Sequence, residues 1–167
     1  MFDIDKLNWM NAQYLKKVDT NDILDISKEI FQNHNYIISD ESDFLSILEF
    51  GKGRCNTINE IVKLSEPFFK EIDYNTDYLN LLKAPESNQL YTTIIEYLNN
   101  IELIDNLDIK EILIDIGSKH NINGKDLFFP IRLAVWGDVH GPDIGLIIKI
   151  LGKEKAITRF NKALNYG

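Results

Sequence analysis

The chain has 167 residues, of which 44% are hydrophobic and 26% charged, a formal net charge of −8 and one cysteine. That is enough for one domain with a core, or for two small helical subdomains, and it excludes disorder and a wholly basic nucleic-acid footprint: any nucleic-acid site must be a local patch. The lone Cys55 excludes an intrachain disulfide and a thiolate metal cluster and fits a reducing, cytoplasmic location; no apolar run reaches bilayer length, and the opening MFDIDKLNWM, with two early acidic residues, is not a signal peptide.

The predicted elements are nearly all helical. The first runs through FDIDKLNWMNAQYLKKV, with Asp3 or Asp5 as cap and Leu7, Met10, Tyr14 and Leu15 on one side. DTNDILDISKEIFQNHN follows, with Ile23, Ile26, Ile30 and Phe31 at spacings of three and four. DESDFLSILEF is a short helix that stops near Gly51 and Gly53. Thr57 and Glu60 form a capping box that starts the next helix, which Pro67 ends. The polar KEIDYNTD is the best internal boundary. ESNQLYTTIIEYLNNIE is amphipathic. Asp108 and Glu111 make a second cap candidate, ahead of the stripe Ile109, Ile112, Leu113 and Ile116. Asn123-Gly124 is a turn signal. KDLFFPIRLAVWG reads as a helix kinked or restarted at Pro130, or as a strand. Two helices close the chain. Pro142 suits the first helical position, Asp143 complements the positive helix start, and Ile144, Ile147, Ile148 and Leu151 form a buried stripe before the stop at Gly152. The expected fold class is all-α.

The segment Gly137-Asp138-Val139-His140-Gly141 has the look of the metal-gripping turn of calcineurin-like phosphoesterases. A dinuclear site needs roughly four to six ligands per ion. Only 26 residues follow Gly141, and none is histidine. His34 and His120 lie far upstream, and βαβ alternation is missing. The segment therefore reads as a junction between helices, with Gly137 ending one, Gly141-Pro142 opening the next, and Asp138 and His140 in the loop. No catalytic, cofactor or metal residues are expected.

Three blocks in order carry a different resemblance, over essentially the whole chain. FDIDKLNWMNAQYL resembles the Phe-Asp-x-x-Lys-Leu-x-Trp-x-Asn segment that follows the catalytic half of bacterial glutamyl-tRNA synthetases. GRCNTINEI is similar to their Arg-x-x-Thr-Leu-x-Glu segment. FFPIRLAVWGDVHGPDIGLIIKILGKEKAITRFNKAL is similar to their C-terminal signature, in which a Pro-Leu-Arg run leads through a glycine turn and Gly-Pro to a LLGKE helix. The resemblance implies the anticodon-binding part of a class I aminoacyl-tRNA synthetase, built as two helical cages, residues 1–70 and 75–167. The His-Ile-Gly-His and Lys-Met-Ser-Lys ATP signatures do not occur. The chain alone is therefore expected to be inactive and without cofactor, ATP and magnesium serving the full-length ligase. The implied partners are glutamate tRNA, through its anticodon loop, and the catalytic domain of the same polypeptide. No membrane association is expected, and the expected state is a monomer. Met1 is expected to be an introduced start, since family members continue upstream of Phe2.

Arg54 follows Gly51 and Gly53 and precedes the Thr57 cap, where an arginine can aim its planar fork of donors at a base. In the family an arginine here reads the third anticodon base, a cytosine. Arg132 sits inside an apolar run and must be paired, either with carbonyls of neighbouring helix ends or with the RNA; it matches the arginine of the Pro-Leu-Arg run. Ile144 matches an apolar position near an anticodon base, or is a core residue of its stripe. His140 and Gly141 are plausible turn contacts. Trp136 departs from the small Thr or Ser usual in the family; it stacks on a base or, the favoured reading, fills the core. Trp9 is expected to be structural, and Cys55 is assigned no chemistry. Lys149, Lys153, Lys155, Arg159 and Lys162 form a solvated face or a local phosphate patch. The competing function is an acidic helical protein-interaction domain without RNA binding.

Overall fold

Short polar side chains start five of the eleven α-helices, because they accept from amides that the first helical turn leaves unpaired. In the computed structural model, which describes residues 1–167, Asp3 caps α1 (Ile4–Lys17), Asp40 caps α3 (Glu41–Lys52) and Thr57 caps α4 (Ile58–Leu64). A 3₁₀ turn (Thr20–Ile23) leads into α2 (Leu24–Asn33), and α5 (Glu66–Phe69) is a single turn. A second 3₁₀ turn (Thr76–Tyr78) precedes α6 (Leu79–Leu82), α7 (Pro85–Asn99), α8 (Ile109–Lys119), α9 (Gly124–Trp136), α10 (Ile144–Leu151) and α11 (Lys153–Leu164). The fold is all-α, as expected, and the chain forms two compact units, Met1–Lys70 and Glu71–Gly167.

In the first unit Phe31 meets Phe44 edge-on at 4.9 Å, while Tyr36 stacks on Phe69 at 4.7 Å. Such aromatic pairs add geometry to plain burial. Gly51 allows α3 to approach α4, since a Cβ there would lie 2.5 Å from the Ile61 side chain. Lys52 is buried and donates to the Val18 carbonyl and the Thr20 hydroxyl. Two expectations fail here. Of the side chains placed on one face of α1, only Leu15 is buried; Leu7, Met10 and Tyr14 are exposed, as is Trp9 at 64%. Within this unit the main packing partner of α1 is α3, and most of the helix surface stays exposed. Trp9 is therefore not a core residue. Ile26 is also exposed, and the buried line of α2 runs through Ile23, Ser27 and Phe31.

In the second unit α11 lies on α7 and α9, and α10 packs on α8, α9 and α11, around Tyr91, Leu113, Ile131, Ile147 and Phe160. The Asp108 cap and the Ile109–Leu113–Ile116 stripe form as expected, with Ile112 half-buried. Asn123-Gly124 is a helix start and not a separate turn; Gly124 takes φ +57. α9 passes Pro130 without a break or restart. The carbonyl that the proline ring crowds, four residues back, belongs to exposed Asp126 in the first turn, where a lost bond is cheap. The Tyr91 hydroxyl donates to the Pro130 carbonyl at 3.0 Å. Pro67 lies in the first turn of α5, and α4 already stops at Leu64. Pro142, by contrast, precedes its helix: α10 starts at Ile144, with Asp143 as the cap accepting from the Leu146 amide. Leu151 is only half-buried.

Candidate nucleic-acid interface

Arg132 projects from α9 across the turn 137–143. Its Nη1 donates to the Val139 carbonyl at 2.9 Å and its Nε to the Pro142 carbonyl at 3.2 Å. Of its two sequence readings, the carbonyl pairing is realised, though within the adjoining turn. Burial lowers the Arg132 pKa and nearby Asp143 opposes that fall; the guanidinium stays a cation, since its ordinary value lies so far above neutrality. Three of the five guanidinium N–H groups are free of these two bonds. The turn starts at Gly137, in the left-handed region at φ +93, where a Cβ would stand 2.5 Å from the Asp73 carbonyl. Asn75 donates from its backbone to the Gly137 carbonyl and from its side chain to Asp138. Asp138 also accepts from the His140 amide. Burial alone would raise the Asp138 pKa, but the bonds from His140, Asn75 and Val139 outweigh it and hold the carboxyl below its ordinary value. Both Asp138 oxygens thus serve the turn, and no group of three His, Cys, Asp or Glu side chains gathers there or elsewhere.

Beside the turn lies a concave pocket of about 350 Å³. Arg132, Asp143 and Ile144 line one part of it, and Phe128, Phe129, Lys110 and Lys125 another. Lys110 stands 6.0 Å from the Phe128 ring centre and Lys125 5.9 Å from that of Phe129. Two half-buried aromatic faces with cations beside them suit a planar anionic polymer such as single-stranded RNA, stacking holding bases and ammonium groups holding phosphates. His140 is exposed, with its ring 5.9 Å from Phe129, edge-on. Gly141 is exposed, and a Cβ on it would lie 2.6 Å from Trp136 Cδ1. Trp136 is 8% exposed, placing its indole under the turn. Ile144 is 2% exposed, which bears out its reading as a core residue, and it also lines the pocket.

In the first unit Arg54 is exposed just beyond the C-terminus of α3. Its Nη1 donates to the Phe50 carbonyl at 2.9 Å, and its guanidinium carbon stands 4.3 Å from the Phe50 ring centre. The capping box beside it forms, but Glu60 accepts from the Asn56 amide and not from that of Thr57. Cys55 is buried, and burial, then Glu60, push its thiol pKa up, which makes it a poor nucleophile.

The C-terminal basic run is not one surface. Arg159 is 5% exposed and donates to the Val135 carbonyl at 2.6 Å, so it is neither solvated nor free for phosphate. Lys162 donates to the Ile72 carbonyl and pairs with Glu71, and Lys153 donates to the Ile101 carbonyl. Lys149 and Lys155 are exposed. Sequence reasoning missed Lys110, Lys125, Phe128, Phe129 and Asn75. The alternation of bases and aromatics in KDLFFPIR signals the first pocket wall; nothing in the sequence points to Asn75.

These features describe an all-helical module with a small basic and aromatic pocket. Residues 7–164 match the anticodon binding domain family, and the chain belongs to that family. It is similar to the C-terminal region of glutamate–tRNA ligases. It is 31% identical to the ligase of Natranaerobius thermophilus over 99% of this chain and 35% of the relative, and 32% identical to that of Acholeplasma laidlawii over 98% and 36%. The crystal structure of a glutamate tRNA ligase from Elizabethkingia meningosepticum superposes with a TM-score of 0.88 at 26% identity, over 98% of this chain and 32% of that one. The chain spans about a third of the length of the curated relatives it matches.

Proposed function

We propose that this chain is the anticodon-reading region of a glutamate–tRNA ligase, holding the anticodon loop of glutamate tRNA while the catalytic portion joins glutamate to the tRNA with ATP and magnesium. The observation that carries the reading is the pocket beside Arg132, which gathers two aromatic rings, two lysines and an arginine in an otherwise acidic chain. In this reading Arg132, His140, Gly141 and Ile144 face or support anticodon bases, Arg54 reads a base from the first unit, and Lys149 and Lys153 meet phosphates. Residues 1–70 and 75–167 act as two anticodon-binding subdomains. The ligand set contains no cofactor of its own. The protein works as a cytoplasmic monomer, and no helix is long and apolar enough to cross a membrane.

Because the chain carries a net charge of −8, binding by this region alone is weak and rests on few phosphate contacts. A gel shift with glutamate tRNA at low salt tests the reading. A shift that fades as salt rises, with a log–log slope of about −0.7 to −0.9 per phosphate, supports it. Absence of any shift at low salt rejects it in favour of an acidic protein-interaction domain.

A further inference from the structure

The turn 137–143 hangs between two helices, with Gly137 at its start and Gly141 two residues before its end at Asp143. Arg132 fastens its second half. Its first half is fastened from a distant part of the same unit. The segment 71–75 runs past Gly137, with Ile72 buried and its carbonyl held by Lys162. Asn75 ends that segment with every polar atom of its side chain in use. Its Oδ1 accepts from the Asp77 amide at 3.0 Å and so caps the 3₁₀ turn, while its Nδ2 donates to Asp138 Oδ2 at 2.7 Å. An ionised carboxylate accepts only, so the amide must face it nitrogen-first. The other carboxylate oxygen, Oδ1, takes the His140 amide at 3.0 Å. One amide and one carboxylate thus tie residues 75, 77, 138 and 140 together.

We propose that Asn75 is a positioning residue for RNA recognition: through its bond to Asp138 it locks the turn 137–143 in the shape that holds Arg132 and Asp143 at the pocket. The proposal rests on the reading of that pocket as an RNA site. Without the lock, the carboxylate is free to swing away, the His140 amide loses its acceptor, and the turn is restrained only by Arg132 and by the backbone bond from the Asn75 amide to the Gly137 carbonyl. Binding of a partner that needs the turn preformed then carries the cost of ordering it.

Asn75→Asp isolates the lock from the cap. An aspartate still accepts from the Asp77 amide, yet it sets a second carboxylate against Asp138. Exchanging the pair, Asn75→Asp with Asp138→Asn, restores every bond: the new amide donates to residue 75, and its oxygen still accepts from the His140 amide. Asn75→Ser keeps a cap acceptor, removes the donor and adds no charge. The whole 167-residue chain is used throughout, with a 17-nucleotide hairpin of the glutamate tRNA anticodon arm as RNA probe, and amide hydrogen exchange as the second readout.

The expected result is at least tenfold faster exchange at the Asn75 and His140 amides in Asn75→Asp, with the Asp77 amide unchanged. Hairpin affinity falls at least fivefold, and the exchanged pair returns both to within twofold of wild type. Should Asn75→Asp fail to fold, Asn75→Ser is read against the same thresholds. Exchange within threefold of wild type, unchanged hairpin affinity despite faster exchange, or an exchanged pair that restores neither, overturns the proposal. A wild-type chain that binds no hairpin removes the RNA reading, and with it the recognition role of Asn75; the exchange data then show separately whether the bond locks the turn.

Discussion

The guanidinium of Arg54 lies over the ring of Phe50, 4.3 Å from its centre, and donates to the carbonyl of the same residue at 2.9 Å. One residue thus anchors the arginine twice, four positions upstream on the last turns of α3. Part of its rotamer entropy is spent in folding, so less remains to be lost on binding.

Replacing Arg54 by glutamine in a full-length ligase is expected to relax the preference for cytosine over guanine at the third anticodon position by about 5- to 150-fold, equivalent to about 1–3 kcal/mol. The check is the ratio of kcat/KM for glutamate tRNA and its C-to-G variant. Phe50→Leu removes the ring but keeps the carbonyl. It should lower the same ratio by less, through loss of preorganisation alone.

Gly141→Ala is expected to destabilise the second unit by about 1–3 kcal/mol, the usual cost of overpacking, because the added Cβ meets Trp136 Cδ1 and Nε1 at 2.6 Å. Trp136→Leu opens a cavity and also destabilises alone. Combined with Gly141→Ala it should cost less than the sum of the two, because the alanine methyl enters the vacated space. Thermal unfolding of the four variants completes the cycle, and strict additivity would separate the two residues.

Tyr74 is 7% exposed and its hydroxyl has no hydrogen-bond partner. Tyr74→Phe should therefore be neutral or slightly stabilising at pH 7. Burial raises the Tyr74 pKa from 10.0 to about 12. The folded chain then keeps a proton that the unfolded chain releases, so stability is unaffected by this group below pH 10 and falls as pH climbs from 10 towards 12. Urea midpoints measured across that window should fall in the wild type and fall less steeply in Tyr74→Phe. Tyr91, whose pKa burial also raises, sustains part of the slope in both.

Lys149 is exposed, whereas Lys153 is bonded to the Ile101 carbonyl. Lys149→Ala should weaken cognate and non-cognate tRNAs alike and make the salt slope shallower by about 0.7–0.9, the signature of one lost phosphate contact. Lys153→Ala should in addition lower the melting temperature, since it releases the segment around Ile101. Salt titrations paired with melting curves distinguish the two.

The sequence by itself made legible the all-helical character and several helix starts. Caps at Asp3, Thr57 and Asp108 and stripes such as Ile109–Leu113–Ile116 depend on bonds and spacings within a few residues, so local chemistry is enough. It also determined the family, through three ordered blocks. It did not show which apolar faces are covered: Leu7, Met10 and Tyr14 have helical spacing, but burial requires a partner surface, and these three stay exposed although α1 packs on α3. Nor did it separate the basic residues. Arg159, Lys162 and Lys149 look alike in a charge run, and only the approach of the Val135 and Ile72 carbonyls turned the first two inward. Tertiary structure alone decided the site as well, because Asn75 and Asp138 lie 63 positions apart. No local rule connects an amide in a polar linker to a carboxylate in a glycine turn; the packing of α11 on α7 and α9, and the Lys162 tether to Ile72, bring the two within one hydrogen bond.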